Sequence, residues 1–455
     1  MRDESSDPLP EQLQAALDAN DAQAIVNYFS GITPAAVRHS VSYLSASDQA
    51  RLLQSLPDVA AAEVVDRLPQ AQAAQMIERL TPARAAAIVS ELPSDEQADV
   101  IAHLGASEAS AVLEAMPADE ARDARRLMSY PSDSAGGLMI TEYLAYRDDL
   151  SVGDVLDDLR ANADRYRYFD VQYAYVTKDG GKLVGVLRLR DLLLSSPDES
   201  LTAVMISDPL KVRDTARLDE LERFFDRHPL FGVPAVNAVG VLMGVVRGAD
   251  VEKAAEERST RSFLKFMGIV GGEELRSMPL HIRSVRRLSW LTVNILLNVA
   301  AASVIAFNQD TLSAVIALSV FLPIISDMSG CSGNQAVAVS LRELTLGVVR
   351  PFEVWRVFRK EAVVGIINGI VLGILLGLVA WAWKGNPVLG GVVAAALALN
   401  TVIAVCFGGL IPLVLSGLRQ DPALASGPIL TTITDMSGFF IVLKLASIVL
   451  PLLTT

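Results

Sequence analysis

Asp327-Met328-Ser329-Gly330 and Asp435-Met436-Ser437-Gly438 are two copies of one tetrapeptide, each set inside a long apolar run. Where such a run crosses a bilayer, an ionised carboxylate costs ~2.5 to 3.5 kcal/mol on insertion scales and is retained where it faces water, a partner or an ion. Around the first copy lie Ser329, Gly330, Ser332, Gly333 and Asn334; ahead of the second lie Gly427, Pro428, Thr431, Thr432 and Thr434. The ligand chemistry on offer is oxygen, with no histidine and one cysteine nearby. That suits a hard cation such as magnesium, which keeps several of its waters and is held by one or two carboxylates. Asp435, Asp327, Gly330, Asn334 and Thr431 are the candidate pore residues, and structural hydrogen bonding is the alternative role for the aspartates. Lys444 is the sole base in the last run, nine residues beyond Asp435. At about 100° per residue it falls on the opposite helix face and cannot be the local partner.

The elements that must carry these residues are five apolar segments at about 289–307, 312–336, 362–383, 388–417 and 427–453. Each reaches the ~20 residues that cross a bilayer. Arg283, Arg286 and Arg287 precede the first segment, Arg342, Arg350, Arg356, Arg359 and Lys360 fill the second connection, and Arg419 lies in the fourth, against Lys384 alone on the other side. The positive-inside rule then places the N-terminal part in the cytoplasm and the C-terminus outside, so that the two Asp-Met-Ser-Gly copies enter the bilayer in opposite directions. Ser329 to Asn334 are expected to interrupt the second span, freeing backbone carbonyls as discontinuous transporter helices do. Gly365, Gly369, Gly373 and Gly377 form a small-residue stripe that either joins two protomers or packs the bundle. Asn298, Asn368 and Asn400 are open between interhelical hydrogen bonds and pore groups. One deep carboxylate per chain is a thin charge for a dication, which favours a homodimer with two Asp435 side chains near its axis.

The rest of the chain has a different character. Of the net charge of −13, residues 290–455 account for seven acids and eight bases, leaving about −14 in the earlier part. An acidic soluble part of that size argues against nucleic-acid binding, which needs a basic face; plain solubility accounts for it, and any ligand it favours is cationic. No cleaved signal peptide is expected from the polar start MRDESSDPLPEQ. The two cysteines, Cys331 and Cys406, leave no disulfide framework or cysteine zinc site. A period of twelve runs through Leu56-Pro57, Leu68-Pro69, Thr81-Pro82, Leu92-Pro93, Leu104-Gly105 and Met116-Pro117. It predicts short helices with proline at the first helical position, stacked into a superhelix. From Tyr130 the pattern becomes strand, turn, strand, helix, and it occurs twice. Its matched endings, Leu183-Val184-Gly185-Val186 and Leu242-Met243-Gly244-Val245, resemble tandem CBS domains.

Along nearly its whole length the chain resembles the MgtE family of magnesium transporters or channels. The resemblance rests on YPSDSAGGLM (130–139), PIISDMSGCSGNQAVAVSLREL and DPALASGPILTTITDMSGFF. It implies a cytoplasmic α-helical superhelical domain (1–129), two α+β CBS domains (130–195 and 196–250), a connecting or plug helix (251–286), and a five-helix transmembrane domain (287–455), assembled as a homodimer in the plasma (inner) membrane. It implies that Asp435 matches the family's pore aspartate and binds hydrated magnesium. It also implies regulatory magnesium shared by Glu63, Asp95 and Asp99 of the helical domain with Asp250, Glu252, Glu256 and Glu257 opposite. A nucleotide at the CBS domains is a further expectation.

Departures from the family pattern bear on selectivity and gating. Ser329, Gly330 and Cys331 stand where the family reads G-G-N, and Arg258, Ser259, Arg261 and Ser262 replace part of an acidic plug-helix run. Arg258 and Arg261 are therefore expected to substitute salt bridges for some bridging ions. The function expected is not enzymatic: a magnesium channel or transporter working down the electrochemical gradient and gated by magnesium-sensing cytoplasmic domains. The alternative is a proton- or sodium-coupled divalent cation carrier using Asp327 and Asp435.

Overall fold

The computed structural model describes residues 10–453, except 167, 168, 170, 171, 273 and 277. The polar start of the chain, on which the signal-peptide reading rests, lies largely outside them. The chain divides at Glu257/Arg258 into two compact units.

The first unit opens with ten short helices between Pro10 and Met128. The twelve-residue beat explains their packing. Asp58–Asp66 rests on Pro82–Ser90, Gln70–Ile77 on Ser94–Ala102, and Ser94–Ala102 on Ala118–Met128, so each helix touches the next but one. The leucine of each Leu-Pro pair is an anchor: Leu56, Leu68 and Leu92 are 3%, 7% and 4% exposed. Burying each contributes about 1.5–3 kcal/mol. The prolines differ from expectation. Pro34 and Pro82 occupy the first helical turn behind threonine caps, whereas Pro57, Pro69, Pro93 and Pro117 are themselves the N-cap residues. Proline's fixed φ suits that extended cap conformation, and the cap needs no N–H of its own.

Two four-stranded sheets follow, built from β1 (Met139–Ile140), β2 (Leu144–Arg147), β3 (Tyr173–Lys178), β4 (Lys182–Arg188), β5 (Ile206–Ser207), β6 (Val212–Arg213), β7 (Gly232–Val236) and β8 (Leu242–Arg247). One sheet has the order β2-β3-β4-β5 and the other β1-β8-β7-β6. The duplication extends to detail. β2 runs parallel to β3 as β6 does to β7, and the hairpins β3-β4 and β7-β8 carry register shifts at equivalent places, Val176/Thr177 and Ala235/Val236. The short strands are exchanged, since β1 pairs with the second hairpin and β5 with the first. The matched glycines make room for this. A Cβ on Gly185 would lie 2.2 Å from Met205 Sδ, and one on Gly244 2.7 Å from Met139 Cγ. Asp179, Gly180 and Gly181 turn the first hairpin with φ of 36°, 76° and 87°, which glycine adopts at little cost. A helix, Gly248–Phe266, continues from β8.

The second unit contains five helices long and apolar enough to cross a membrane: Leu280–Phe307, Ile316–Thr345, Val354–Lys384, Pro387–Gly417 and Pro422–Ile448. The segment 251–286, expected to be one helix, ends its first helix at Phe266, and the first span already starts at Leu280. The fourth span is the most buried and packs against the second, third and fifth. The glycine stripe of the third span serves that packing. Gly365, Gly369, Gly373 and Gly377 all face the fourth span, and a Cβ on Gly369 would lie 2.6 Å from the Ala398 carbonyl oxygen.

The second span corrects an expectation. A short 3₁₀ segment, Ile316–Val320, leads into an unbroken α-helix from Phe321 to Thr345, so Ser329 to Asn334 do not interrupt it. Its glycine acts through close approach instead: a Cβ on Gly333 would sit 2.9 Å from the Ala404 carbonyl oxygen. Helical carbonyls stay in their ladder, and the small residues bring the fourth span near.

Candidate ion site

The second and fifth spans present their polar residues to one another by helical spacing. Ser326, Asp327, Gly330, Cys331 and Asn334 recur at three- and four-residue steps on one face, as do Thr431, Asp435 and Phe439 on the other helix. Together with Ile305 and Leu322 they line a cleft of about 570 Å³. Six waters at ~30 Å³ each need roughly 180 Å³, so a fully hydrated small cation has room. All five pore residues expected from sequence line this cleft: Asp327, Gly330, Asn334, Thr431 and Asp435.

Asp435 stands midway along its 27-residue helix, deeper than the third of the way expected when the span was placed at 427–453. Its carboxylate Oδ1 accepts a hydrogen bond from the Ser326 hydroxyl. Behind it, the wholly buried Asn400 of the fourth span donates from Nδ2 to the Thr434 carbonyl at 3.0 Å and accepts from Ser437 Oγ at 2.5 Å. Gly438 permits that approach, for a Cβ there would come within 2.6 Å of Asn400 Nδ2. Asn400 is thus the interhelical hydrogen bonder of the three asparagines. Ser326 is not among the pore residues expected from sequence, although its four-residue step to Gly330, repeated from there to Asn334, is a usable signal. Thr431, Thr432 and Thr434 donate their hydroxyls to carbonyls of their own helix, leaving oxygen lone pairs as what they offer outward. Among the described residues no base pairs with Asp327 or Asp435. The cleft therefore holds two carboxylates from one chain.

A second acidic cluster lies within the first unit, where helix Ser94–Ala102 meets β8 and the helix after it. Arg247 binds Asp250 through two bonds of 2.5 and 2.9 Å and reaches Asp95 at 3.7 Å; Lys253 pairs with Glu96. Asp99 accepts from Gln70 Nε2 at 2.6 Å, and the Glu257 charge bears on it. Glu252 lines the adjoining cleft of about 590 Å³ together with Asp66, Glu96, Asp250 and Lys253. Structure thus brings Asp95, Asp99, Asp250, Glu252 and Glu257 to one region. Glu63 is not brought there: it is exposed beside Arg67 at 3.9 Å, and Asp66, one helical turn on, faces the cleft. Glu256 is exposed on the connecting helix. Among the described residues, no three histidine, cysteine, aspartate or glutamate side chains converge in a metal-ligand group.

Burial, reinforced by the Asp250 charge and opposed by Arg247, pushes Asp95 up to about 7. Burial and the Glu96 charge push Asp99 up to about 6. A third cavity, about 470 Å³, lies between the two sheets and is lined by Tyr173, Tyr175, Arg188, Pro209, Leu210 and Pro234 among others.

A multi-span bundle with unpaired carboxylates in a roomy cleft, joined to a helical domain and a duplicated α+β pair, defines a membrane transport protein for cations. Comparison with known proteins gives the family. The MgtE divalent cation transporter model matches residues 322–445, the MgtE intracellular N domain 32–133, and the CBS domain 135–198. The magnesium transporter MgtE of Bacillus subtilis is 31% identical over 70% of this chain and 70% of its own, and that of Thermus thermophilus is 32% identical over 72% of each. The crystal structure of the cytosolic domain of the Mg2+ channel MgtE in complex with ATP is 29% identical, covers 54% of this chain and all of its own, and aligns with a TM-score of 0.50. The chain belongs to the MgtE family of divalent cation transporters, a multi-pass membrane protein with CBS domains.

The raised Asp95 and Asp99 values carry a sign. Carboxyls whose protons are held more tightly in the fold stabilise it fully below about pH 4, and that contribution is lost as pH rises through about 6 to 7. Amide hydrogen exchange of the full-length protein over Ser94–Ala102 should therefore be slower at about pH 5 than at about pH 8, after correction for intrinsic rates. Asp95→Asn should flatten the difference by on the order of tenfold. An unchanged pH dependence in that variant would refute the assignment.

Proposed function

We propose that this chain carries magnesium across the plasma membrane down its electrochemical gradient, with hydrated Mg2+ resting against Asp435 and Asp327. The observation that carries the reading is the pair of carboxylates in one cleft, without a basic partner and with space for an ion's waters. Membrane potential supplies the drive, ~2.3 kcal/mol per charge per 100 mV, and no chemical conversion is involved. The names of the Bacillus and Thermus relatives support magnesium as the cargo. Positive-inside bias supports a cytoplasmic N-terminal part and an outside C-terminus. Asp327 and Asn334 are exposed on the single chain. A second copy related by a two-fold axis would enclose them and bring four carboxylates to one path, which supports a homodimer.

A nucleotide such as ATP is proposed for the cavity between the sheets, where the half-buried Tyr173 offers a stacking face and Arg188 a cation for phosphate. In Arg188→Ala, ATP affinity measured by calorimetry on the full-length protein should fall about tenfold or more, and unaltered affinity would remove this site.

Regulation by cytosolic magnesium is proposed in an altered form. A shared regulatory ion does not fit the acids as they stand, because Arg247 already holds Asp250 and reaches Asp95, and Lys253 holds Glu96. Arg247 meets Asp95 and Asp250, two of the acids that the family resemblance assigns to magnesium, and Lys253 meets Glu96 beside them. The native protein should show little change in hydrogen exchange over Ser94–Ala102 on adding millimolar Mg2+, whereas Arg247→Gln with Lys253→Gln should gain Mg2+-dependent protection. Strong protection of the native protein would contradict this.

The transport assignment is checked in liposomes. Asp435→Ala should lose Mg2+ uptake by at least about tenfold, while native uptake should follow an imposed voltage. Uptake that follows a proton or sodium gradient and ignores voltage would select the coupled-carrier mechanism.

A further inference from the structure

We infer that Ser326 determines specificity at the ion site, holding the Asp435 carboxylate so that it receives a hydrated ion and resists direct two-oxygen chelation. The inference rests on the proposed role of Asp435. Ser326 is half-buried in the wall of the cleft, one helical turn before Gly330 and two before Asn334, and its hydroxyl donates to Asp435 Oδ1. Among the described residues it is the one side chain hydrogen-bonded to that carboxylate. The helix that carries Asp435 cannot swing to compensate, because Asn400 pins the backbone at Thr434 and the side chain at Ser437, on either side of it.

Calcium commonly takes a carboxylate through both oxygens at once, whereas magnesium keeps its waters and meets one or two carboxylates with little dehydration. A hydroxyl proton seated on Oδ1 leaves lone pairs for the water hydrogens of a hydrated ion. Placing a bare cation across both oxygens requires that proton to leave. The loss of a hydrogen bond to a charged group is equivalent to about tenfold or more in affinity. Ser326 therefore imposes on calcium a penalty that hydrated magnesium does not meet.

The test uses the full-length chain in liposomes, with Mg2+ or Ca2+ supplied alone. Ser326→Ala should raise the Ca2+-to-Mg2+ uptake ratio roughly tenfold, through a lower half-saturating Ca2+ concentration, and Ser326→Thr should keep the native ratio. If Ser326→Ala does not insert, Ser326→Cys, similar in size and a weak donor, should shift the ratio in the same direction. Asp435→Asn separates the two levels of the argument. Native Mg2+ uptake by Asp435→Asn overturns the ion-site reading itself; an inactive Asp435→Asn beside a native ratio in both Ser326→Ala and Ser326→Cys overturns the role of Ser326 alone.

Discussion

A carboxylate halfway along a membrane-crossing helix must be solvated by something other than lipid, and the second unit is arranged around that need. Asp435 cannot use Lys444, which faces away, so its surroundings supply a hydroxyl in front and an open cleft beside it. Its backbone is held from behind by a buried amide, Asn400, whose own polar atoms are bonded to the fifth span. An unsatisfied amide at that depth would cost several kcal/mol, so the same bonds that fix the helix also make Asn400 tolerable.

Close packing makes this polar arrangement affordable in space. The fourth span is central, and it can lie between the second and third because both offer glycines at the contact, Gly333 on one side and Gly365 to Gly377 on the other. In lipid, where apolar burial between helices gains little, such contacts depend on dispersion at short range and lose it with any added methyl. The consequence for the site is geometric. Large side chains of the second span are free to point elsewhere, and the face toward the fifth span can be occupied by small and polar residues.

Much of this was legible in the residues. The twelve-residue repeat, the duplicated strand pattern and the five spans follow from periodicity and composition, and the five cleft-lining positions from the repeated Asp-Met-Ser-Gly motif with its oxygen-bearing neighbours; all are local properties. What escaped was tertiary. Glycines 330 and 333 were read as helix breakers, a local propensity that helix packing overrode. Glu63 comes from the family resemblance alone, and which side of its nine-residue helix faces a neighbour is set by the superhelix, which turns Asp66 to the cleft. Ser326 was passed over because a hydroxyl in an apolar run is ordinary until a carboxylate from a span about a hundred residues later is placed against it.

The acid cluster of the first unit follows a different electrostatic logic from the cleft in the second. In the cleft, carboxylates without basic partners leave net negative charge that a mobile cation can satisfy. In the cluster, Arg247 and Lys253 are part of the chain and cannot diffuse away, so Asp250 and Glu96 are paired without a mobile ion. A tethered guanidinium bonded through two nitrogens competes with a free dication that must first shed part of a tightly held water shell. Burial also favours protonation of Asp95 and Asp99, which removes further charge that an ion would otherwise be drawn to. The acids of the cleft and those of the cluster thus differ in whether a base of the same chain lies within bonding distance.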